Sequence, residues 1–266
     1  MNYSLNDISI KMQNKILDQS QYDFSSGTPD KLKLNDQILI YNDGTYWKIV
    51  SLQICLMYPI IYDTYDNNDQ TFPITIIVCP VTLISVVLKG IFTFDTYNNM
   101  TMIVKDKNEN IMPIDVGYKI DSNYIIYQNK RSDAKLMVLR DAIMFAPDAL
   151  ILKLKSKLIK TIIPSEYYTN ELDIYGNTLN TLIHPKTLVY VIQYKSNKTN
   201  SEKISIILGK DSQKDIVTGF NLKRSGVTSY FMKKQHKIIH EEGFLLPTLW
   251  YVSKELYPSA KIVYLY

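Results

Sequence analysis

The fold class is decided by the longest apolar run of the chain, Ile74-Thr75-Ile76-Ile77-Val78-Cys79-Pro80-Val81-Thr82-Leu83-Ile84-Ser85-Val86-Val87-Leu88. β-Branched residues occupy both odd and even positions of this run, as in central strands that are covered on both faces. Pro80 divides the run into segments 74–78 and 81–88. The run is shorter than the ~20 residues that a helix needs to cross a bilayer. It therefore predicts two buried strands and no membrane span.

Strand patterns continue on both sides of this run. Asp43-Gly44 separates two apolar segments, 37–41 and 46–58, and an Asp-Gly pair in that setting predicts a hairpin. Further strands are predicted at residues 100–104, 188–194, 204–208 and 262–265. No internal repeat is visible among these segments, so we predict one predominantly antiparallel β structure.

The C-terminal region carries the clearest helical pattern. Leu249, Val252 and Leu256 recur at helical spacing. Pro247 is expected in the first turn of this helix, and Pro258 is expected to end it. Residues 1–34 are polar and are expected to form an N-terminal arm. We therefore predict a single α+β domain over residues 35–266, closed by a C-terminal helix and strand.

The composition bears on the origin of the chain and on its compartment. It has 21 Tyr but only 9 Gly, and Ile, Asn and Lys are frequent. This bias is typical of AT-rich genomes, including those of large DNA viruses. The net charge of +4 gives a weak preference for anions. Both cysteines, Cys55 and Cys79, lie in apolar segments and no signal peptide is visible, so we expect an intracellular, reducing compartment.

Several segments follow one another in the order found in a known family. They are Met57-Tyr58-Pro59, residues 73–80, Tyr97-Asn98-Asn99 with the strand after it, and Trp250 with Tyr257-Pro258. In this order they resemble the domain-of-unknown-function family that is recognised by its Cys-Pro-Leu-Cys-Gly-Thr motif. Cys79-Pro80 matches the start of that motif, whereas Thr82 stands in place of its second cysteine. The resemblance implies a shared fold in a divergent member whose two-cysteine chemistry is incomplete.

Cys79 is the candidate catalytic residue. Its thiol occupies one position of a two-cysteine motif and would react if a nearby cation or helix N-terminus lowered its pKa. The alternative is a buried thiol that only packs, which is common for an isolated cysteine between apolar neighbours. Cys55 is predicted to belong to the core.

Lysine and histidine residues provide two further candidate sites. Lys153, Lys155, Lys157 and Lys160 form a row that could bind an anion such as nucleic-acid phosphate, or could protect a sheet edge from pairing. On a helix, His236 and His240 would share a face, and Glu241 follows them, but this face has no nearby third ligand, so no metal site is predicted. Gly-rich phosphate loops and nucleophile elbows are not found, and no cofactor is predicted.

These observations favour a non-enzymatic structural or interaction module with an unidentified protein partner, as in a virion component of a large DNA virus. The first alternative is a thiol-dependent enzyme or redox protein centred on Cys79. The second is a polyanion-binding protein that uses the lysine row, with nucleic acid as its partner.

Overall fold

The computed structural model describes residues 5–13, 15–27, 32–98, 100–114, 135–156, 162–163, 165–168, 171, 173, 177–178, 183–195, 202–208, 217–218, 221–222 and 243–264. Its helices are α1 (Leu5–Met12), α2 (Leu52–Met57), α3 (Leu139–Phe145) and α4 (Trp250–Leu256), with 3-10 turns at Gln19–Gln21 and Ser165–Tyr168. Its strands are β1 (Ile16–Leu17), β2 (Tyr22–Ser25), β3 (Gln37–Asn42), β4 (Trp47–Ser51), β5 (Ile60–Asp66), β6 (Thr71–Val78), β7 (Ser85–Lys89), β8 (Phe92–Asn98), β9 (Thr101–Asp106), β10 (Ile111–Pro113), β11 (Lys135–Val138), β12 (Leu150–Leu154), β13 (Leu188–Lys195), β14 (Glu202–Leu208), β15 (Val217–Thr218), β16 (Asn221–Leu222), β17 (Gly243–Leu249) and β18 (Lys261–Tyr264).

The apolar run forms the centre of a four-stranded sheet with the order β1-β5-β6-β7. Residues 74–88 are all buried, which agrees with strands covered on both faces. The second strand is shorter than predicted, because residues 79–84 form a turn and β7 begins at Ser85. The turn is closed by hydrogen bonds from Leu83 N to Cys79 O and from Cys79 N to Ile84 O, both 2.8 Å long. We call residues 79–84 the Cys79 turn.

Two other sheets repeat one topology. In the order β11-β3-β4-β12-β2, the hairpin β3–β4 is flanked by β11, which is antiparallel to β3, and by β12, which is parallel to β4. In the order β17-β13-β14-β18, the hairpin β13–β14 is flanked by β17 and β18 in the same orientations. In each case a helix connects the two flanking strands. We call these the first unit (β3, β4, β11, α3, β12) and the second unit (β13, β14, β17, α4, β18).

The helices α2, α3 and α4 end in the same way. Tyr58, Ala146 and Tyr257 each follow a helix and precede a proline. Each has extended φ near −135° and donates its N–H to the carbonyl four residues earlier, as the C-cap of its helix. A following proline disfavours the α conformation at these positions, so each helix stops there. Two of these ends, at Tyr58 and Tyr257, are also segments on which the family resemblance rests.

The predicted fold class is confirmed. All described strand pairs are antiparallel except β1–β5, β4–β12 and β14–β18, and α4 and β18 form the C-terminal helix and closing strand. The predicted position of Pro247 was wrong. It lies in β17 opposite Tyr190, and α4 begins at Trp250. A proline is tolerated there because β17 is an edge strand of its sheet.

Two apolar clusters hold these elements together. The larger one contains side chains from the β5–β6–β7 sheet, from one face of the first unit and from the second unit. The smaller one lies between α3 and the other face of the first unit and includes Ile38, Ile49 and Ala142. Residues of the predicted N-terminal arm join two sheets, since β1 pairs with β5 and β2 pairs with β12.

Candidate functional site

The predicted catalytic residue, Cys79, lies at the start of the Cys79 turn and is 0 % exposed. Burial raises the pKa of its thiol, and hydrogen bonding with Thr82 offsets only part of this effect. Cys55 of α2 is also buried and free, and burial raises its pKa as well. A reactive cysteine needs an accessible thiolate. In this closed arrangement Cys79 is held as a thiol away from water.

Tyrosine hydroxyls converge on the carbonyls of the Cys79 turn. Tyr167 donates to Val81 O at 3.0 Å, and Tyr168 donates to Pro80 O. The two tyrosine rings pack edge to face with centroids 5.0 Å apart. Burial raises the pKa of both phenols, with Cys79 and Tyr251 as additional neighbours, so both remain neutral hydrogen-bond donors over the physiological range.

The second unit attaches to the same turn through Thr82. Its carbonyl accepts a hydrogen bond from Leu249 N at 3.2 Å and another from the Thr248 hydroxyl at 3.0 Å. Leu249 is the last residue of β17, directly before α4. We call the β1-β5-β6-β7 sheet the central sheet. The Cys79 turn therefore joins the central sheet to the 3-10 turn at Ser165–Tyr168 and to the second unit.

Next to this joint lies a buried amine that the sequence did not single out. Lys186 is 0 % exposed and precedes β13. Its Nζ is 3.3 Å from the ring centroid of Tyr167 and 4.7 Å from that of Tyr251. The hydroxyls of these two tyrosines are 2.5 Å apart. Within the described part of the chain, Lys186 Nζ has no hydrogen-bond partner.

Two opposing effects act on the pKa of Lys186, namely desolvation of the ammonium and its contact with the tyrosine rings. Burial lowers its pKa from the ordinary 10.5 to about 6, and the negative charge of Asp173 opposes only part of that shift. A shift of this size corresponds to about 6 kcal/mol. An ammonium on an aromatic face gains about 2 kcal/mol when it is desolvated. Desolvation is the larger effect, so the pKa of Lys186 stays well below its ordinary value in the closed structure.

Lys48 is a buried lysine with the opposite environment. Its Nζ lies 2.7 Å from a carboxylate oxygen of Asp43 and 2.7 Å from one of Asp63. Asp63 also accepts a hydrogen bond from the Tyr41 hydroxyl at 2.7 Å. Because Lys48 and Tyr41 belong to the β3–β4 hairpin and Asp63 belongs to β5, this network joins the first unit to the central sheet. We call these four residues the Lys48 network.

The predicted lysine row is placed only in part. Lys153 and Lys155 are exposed at β12 and beyond its end, and Lys155 forms a 3.2 Å ion pair with Asp23. Lys157 and Lys160 lie outside the described residues. The alternative interpretation as a protected sheet edge was wrong, because β12 pairs with β4 on one side and with β2 on the other.

The residues that the structure describes contain neither a metal cluster nor a membrane-spanning helix. Among them, no group of three or more His, Cys, Asp or Glu side chains could hold a metal ion. His236, His240 and Glu241 lie outside that part of the chain. None of the helices placed by the structure is long and apolar enough to cross a membrane.

Comparison with known proteins identifies no relative. No protein-family model matches the chain, and no curated protein and no solved structure matches it either. The resemblance to the Cys-Pro-Leu-Cys-Gly-Thr family therefore stays a hypothesis.

The residues that sequence reasoning missed are Lys186 and the tyrosines around it. The sequence places Lys186 between Pro185 and Thr187, where a lysine usually faces solvent. The one available signal was the adjacent pair Tyr167-Tyr168 in a chain rich in tyrosine. That pair gives no indication of the distant Cys79 turn to which its hydroxyls bind.

Proposed function

We propose that this chain is a non-enzymatic structural or interaction module. The observation that carries the proposal is that the hydroxyl groups at the Cys79 turn act as structural hydrogen-bond donors. Tyr167, Tyr168 and Thr248 all donate their hydroxyl protons to main-chain carbonyls of the turn. Donors used in this way connect elements of the fold. The thiol that would have to act as a nucleophile, that of Cys79, is buried at the start of the same turn.

The alternatives lack a comparable observation. A thiol-dependent enzyme needs a cation or a helix N-terminus that stabilises the thiolate. The environment of Cys79 acts in the opposite direction, since burial raises its pKa. A polyanion-binding site on the lysine row is weakened at Lys155, whose ammonium pairs with Asp23.

We propose a protein as the partner, and the particle of a large DNA virus as the setting. The setting is supported by the composition alone. A protein partner is supported by exposed apolar side chains on the described surface. Met144 on the outer face of α3 is 76 % exposed, and Leu34, whose carbonyl accepts from Arg140 N at the start of that helix, is 55 % exposed.

The test uses a photo-cross-linking amino acid at single positions of the full chain, expressed in its natural setting. At Met144 we expect one discrete cross-linked protein. The matched control carries the same amino acid at Lys107, an exposed polar position, where that product should be missing.

Two companion assays on the purified chain address the alternatives. Rapid modification of the native Cys79 thiol together with a thiol-dependent turnover would replace the proposal by the enzyme interpretation. Nucleic-acid binding that falls steeply with salt and is lost in Lys153→Gln would replace it by the polyanion interpretation. Equal cross-linking at positions 144 and 107 would remove the argument for a protein partner at α3.

A further inference from the structure

The contacts between the second unit and its surroundings centre on the segment that contains Lys186. Trp250 N donates to Thr187 O at 2.8 Å, and Tyr251 N donates to Pro185 O at 3.1 Å. The side chain of Lys186 extends from the middle of this segment between the rings of Tyr167 and Tyr251. We call residues 185–187 with Tyr167 and the first turn of α4 the Lys186 junction.

We propose that the Lys186 junction opens locally by releasing the Lys186 amine into water, and that this opening takes up one proton and uncovers Cys79. The closed junction holds an amine without a hydrogen-bond partner among the described residues, whereas water offers that amine full hydration. Tyr167 lies against Lys186 on one side and bonds to the Cys79 turn on the other. Separation of the junction therefore loosens the cover of the thiol.

Among the titratable groups compared below, Lys186 is the one whose charge changes most when the junction opens. The groups that face Lys186, or the tyrosine rings that it contacts, are Tyr167 and Tyr168 on the 3-10 turn, Tyr251 on α4, and Cys79. Burial raises the pKa of Tyr167, Tyr168 and Cys79, so these remain neutral below about pH 9. Asp173 contributes a negative charge in the vicinity. Among the residues that the structure describes, His184 is a further titratable neighbour, and its Nδ1 accepts a hydrogen bond from Lys186 N at 3.2 Å.

The proton uptake fixes how opening depends on pH. The closed junction lowers the pKa of Lys186 to about 6, and a solvated lysine has a pKa of ~10.4. Between these values the closed form holds the neutral amine and the open form holds the ammonium. The opening equilibrium constant then rises about tenfold for each unit by which pH falls, and it levels off below about pH 6.

The first experiment measures labelling of Cys79 with 4,4′-dithiodipyridine in the full chain and in Lys186→Met, with Cys55 followed in the same samples by peptide mass spectrometry. The ratio of the two Cys79 rates at each pH cancels the pH dependence of the reagent. We expect this ratio, wild type over variant, to rise about tenfold per unit from about pH 9 down to about pH 6.5. Cys55 should be labelled more slowly than Cys79 at every pH, because a local opening does not expose α2.

A second experiment needs no variant. Amide hydrogens that exchange through a pH-independent opening exchange about tenfold faster per pH unit, because exchange is catalysed by base. For the amides of Trp250 and Tyr251, the opening constant falls about tenfold for each unit by which pH rises, and this fall cancels the rise in the base-catalysed exchange rate. We therefore expect their exchange rates to be nearly independent of pH between about pH 6.5 and about pH 9, and higher than those of the β6 amides, which need a larger opening.

Matched variants exclude other titrating groups. Lys254→Met removes a partly exposed lysine from α4. His184→Gln keeps a hydrogen-bond acceptor at position 184 but removes the imidazole. Both should retain the wild-type pH dependence. Loss of that dependence in His184→Gln, a pH-independent labelling ratio, tenfold-per-unit exchange at Trp250 and Tyr251, or labelling of Cys55 as fast as that of Cys79 would each overturn the proposal.

Discussion

Lys186 and Lys48 show how one residue type takes opposite roles in one core. Lys48 has two carboxylates within 2.7 Å, so its charge is balanced where it is buried. Lys186 lies against tyrosine rings, and burial lowers the pKa of its amine. An apolar side chain of similar length would fill the same space without that desolvation. We therefore expect the buried amine to cost stability, and strongly perturbed pKa values are frequent at functional sites.

The first prediction is that Lys186→Met stabilises the protein. The unfolded chain binds a proton on Lys186 up to ~pH 10.4, whereas the folded chain releases it above about pH 6. Because the unfolded state binds more protons, wild-type stability rises with pH between these values. At pH 7 the variant should gain about 1–4 kcal/mol in the free energy of unfolding. The gain should shrink towards pH 10.

Urea unfolding at several pH values provides the measurement, and Lys254→Met serves as the control with little change at any pH. A Lys186→Met protein that is less stable than the wild type at pH 7 would show that the amine has a strong partner in the folded state.

At the scale of elements, the hairpin β3–β4 depends on its turn. Gly44 has φ of +102°, and a Cβ built there would lie 2.7 Å from Asp66 O and 2.9 Å from its carbonyl carbon. Asp43 accepts hydrogen bonds from Thr45 N and Tyr46 N, which shape the rest of the turn. The Asp-Gly signal in the sequence predicted the hairpin. It could not predict that β5 packs against the turn so closely.

The second prediction compares two glycines. Gly44→Ala should be destabilised by more than the ~1–2 kcal/mol that a left-handed conformation costs, because backbone atoms of Asp66 must also move. Gly27→Ala is the matched control, since Gly27 has φ of +90° with nothing within 4 Å of its built Cβ. Thermal unfolding of both variants measures the difference. Equal losses would mean that the contact with Asp66 relaxes without cost.

The third prediction concerns the first residue of α4. Trp250 is 7 % exposed and belongs to the larger apolar cluster. Trp250→Ala should cost about 3–5 kcal/mol in the free energy of unfolding. Met144→Ala on the outer face of α3 is the control and should cost little. Urea unfolding followed by circular dichroism measures both. A Trp250→Ala protein that unfolds with the wild type would contradict the role of α4 in closing the second unit.

At the scale of the whole molecule, the fold is held by joints between its sheets. The Lys48 network joins the first unit to the central sheet, and the Cys79 turn joins the second unit to it. Both joints pair residues that are distant in sequence. Thr248 bonds to Thr82, 166 positions away.

The fourth prediction is that Lys48→Met is strongly destabilised, by about 3–5 kcal/mol, because Asp43 and Asp63 then lose the cation that balances them. Lys105→Met is the control. It removes an exposed ion pair with Glu109 and should cost little. Adding Asp63→Asn to Lys48→Met should restore part of the loss in urea unfolding. If the two lysine variants lose the same stability, the Lys48 network does not act as a buried joint.

The scale of each feature also explains how well the sequence predicted it. Apolar periodicity and Asp-Gly or proline signals are local, so the strands around residues 74–88, the first hairpin and the end of α4 were predicted. The repeated topology was not, because the two units share strand order and helix ends but few identical residues. Lys186 was missed for the same reason, since its burial depends on tyrosines from two other elements. Local patterns carry no information about such partners.

The repeated topology has a consequence for synthesis on the ribosome. In the first unit, β3 and β4 are made early, but both of their neighbours, β11 and β12, come after residues 52–134 have been translated. At about 5–20 residues per second, the hairpin emerges with both of its edges open for a time on the order of ten seconds. During that interval its main-chain N–H and C=O groups are available to any other nascent strand. Slower translation should therefore increase misassembly of the first unit, in contrast to proteins whose neighbouring strands follow each other directly.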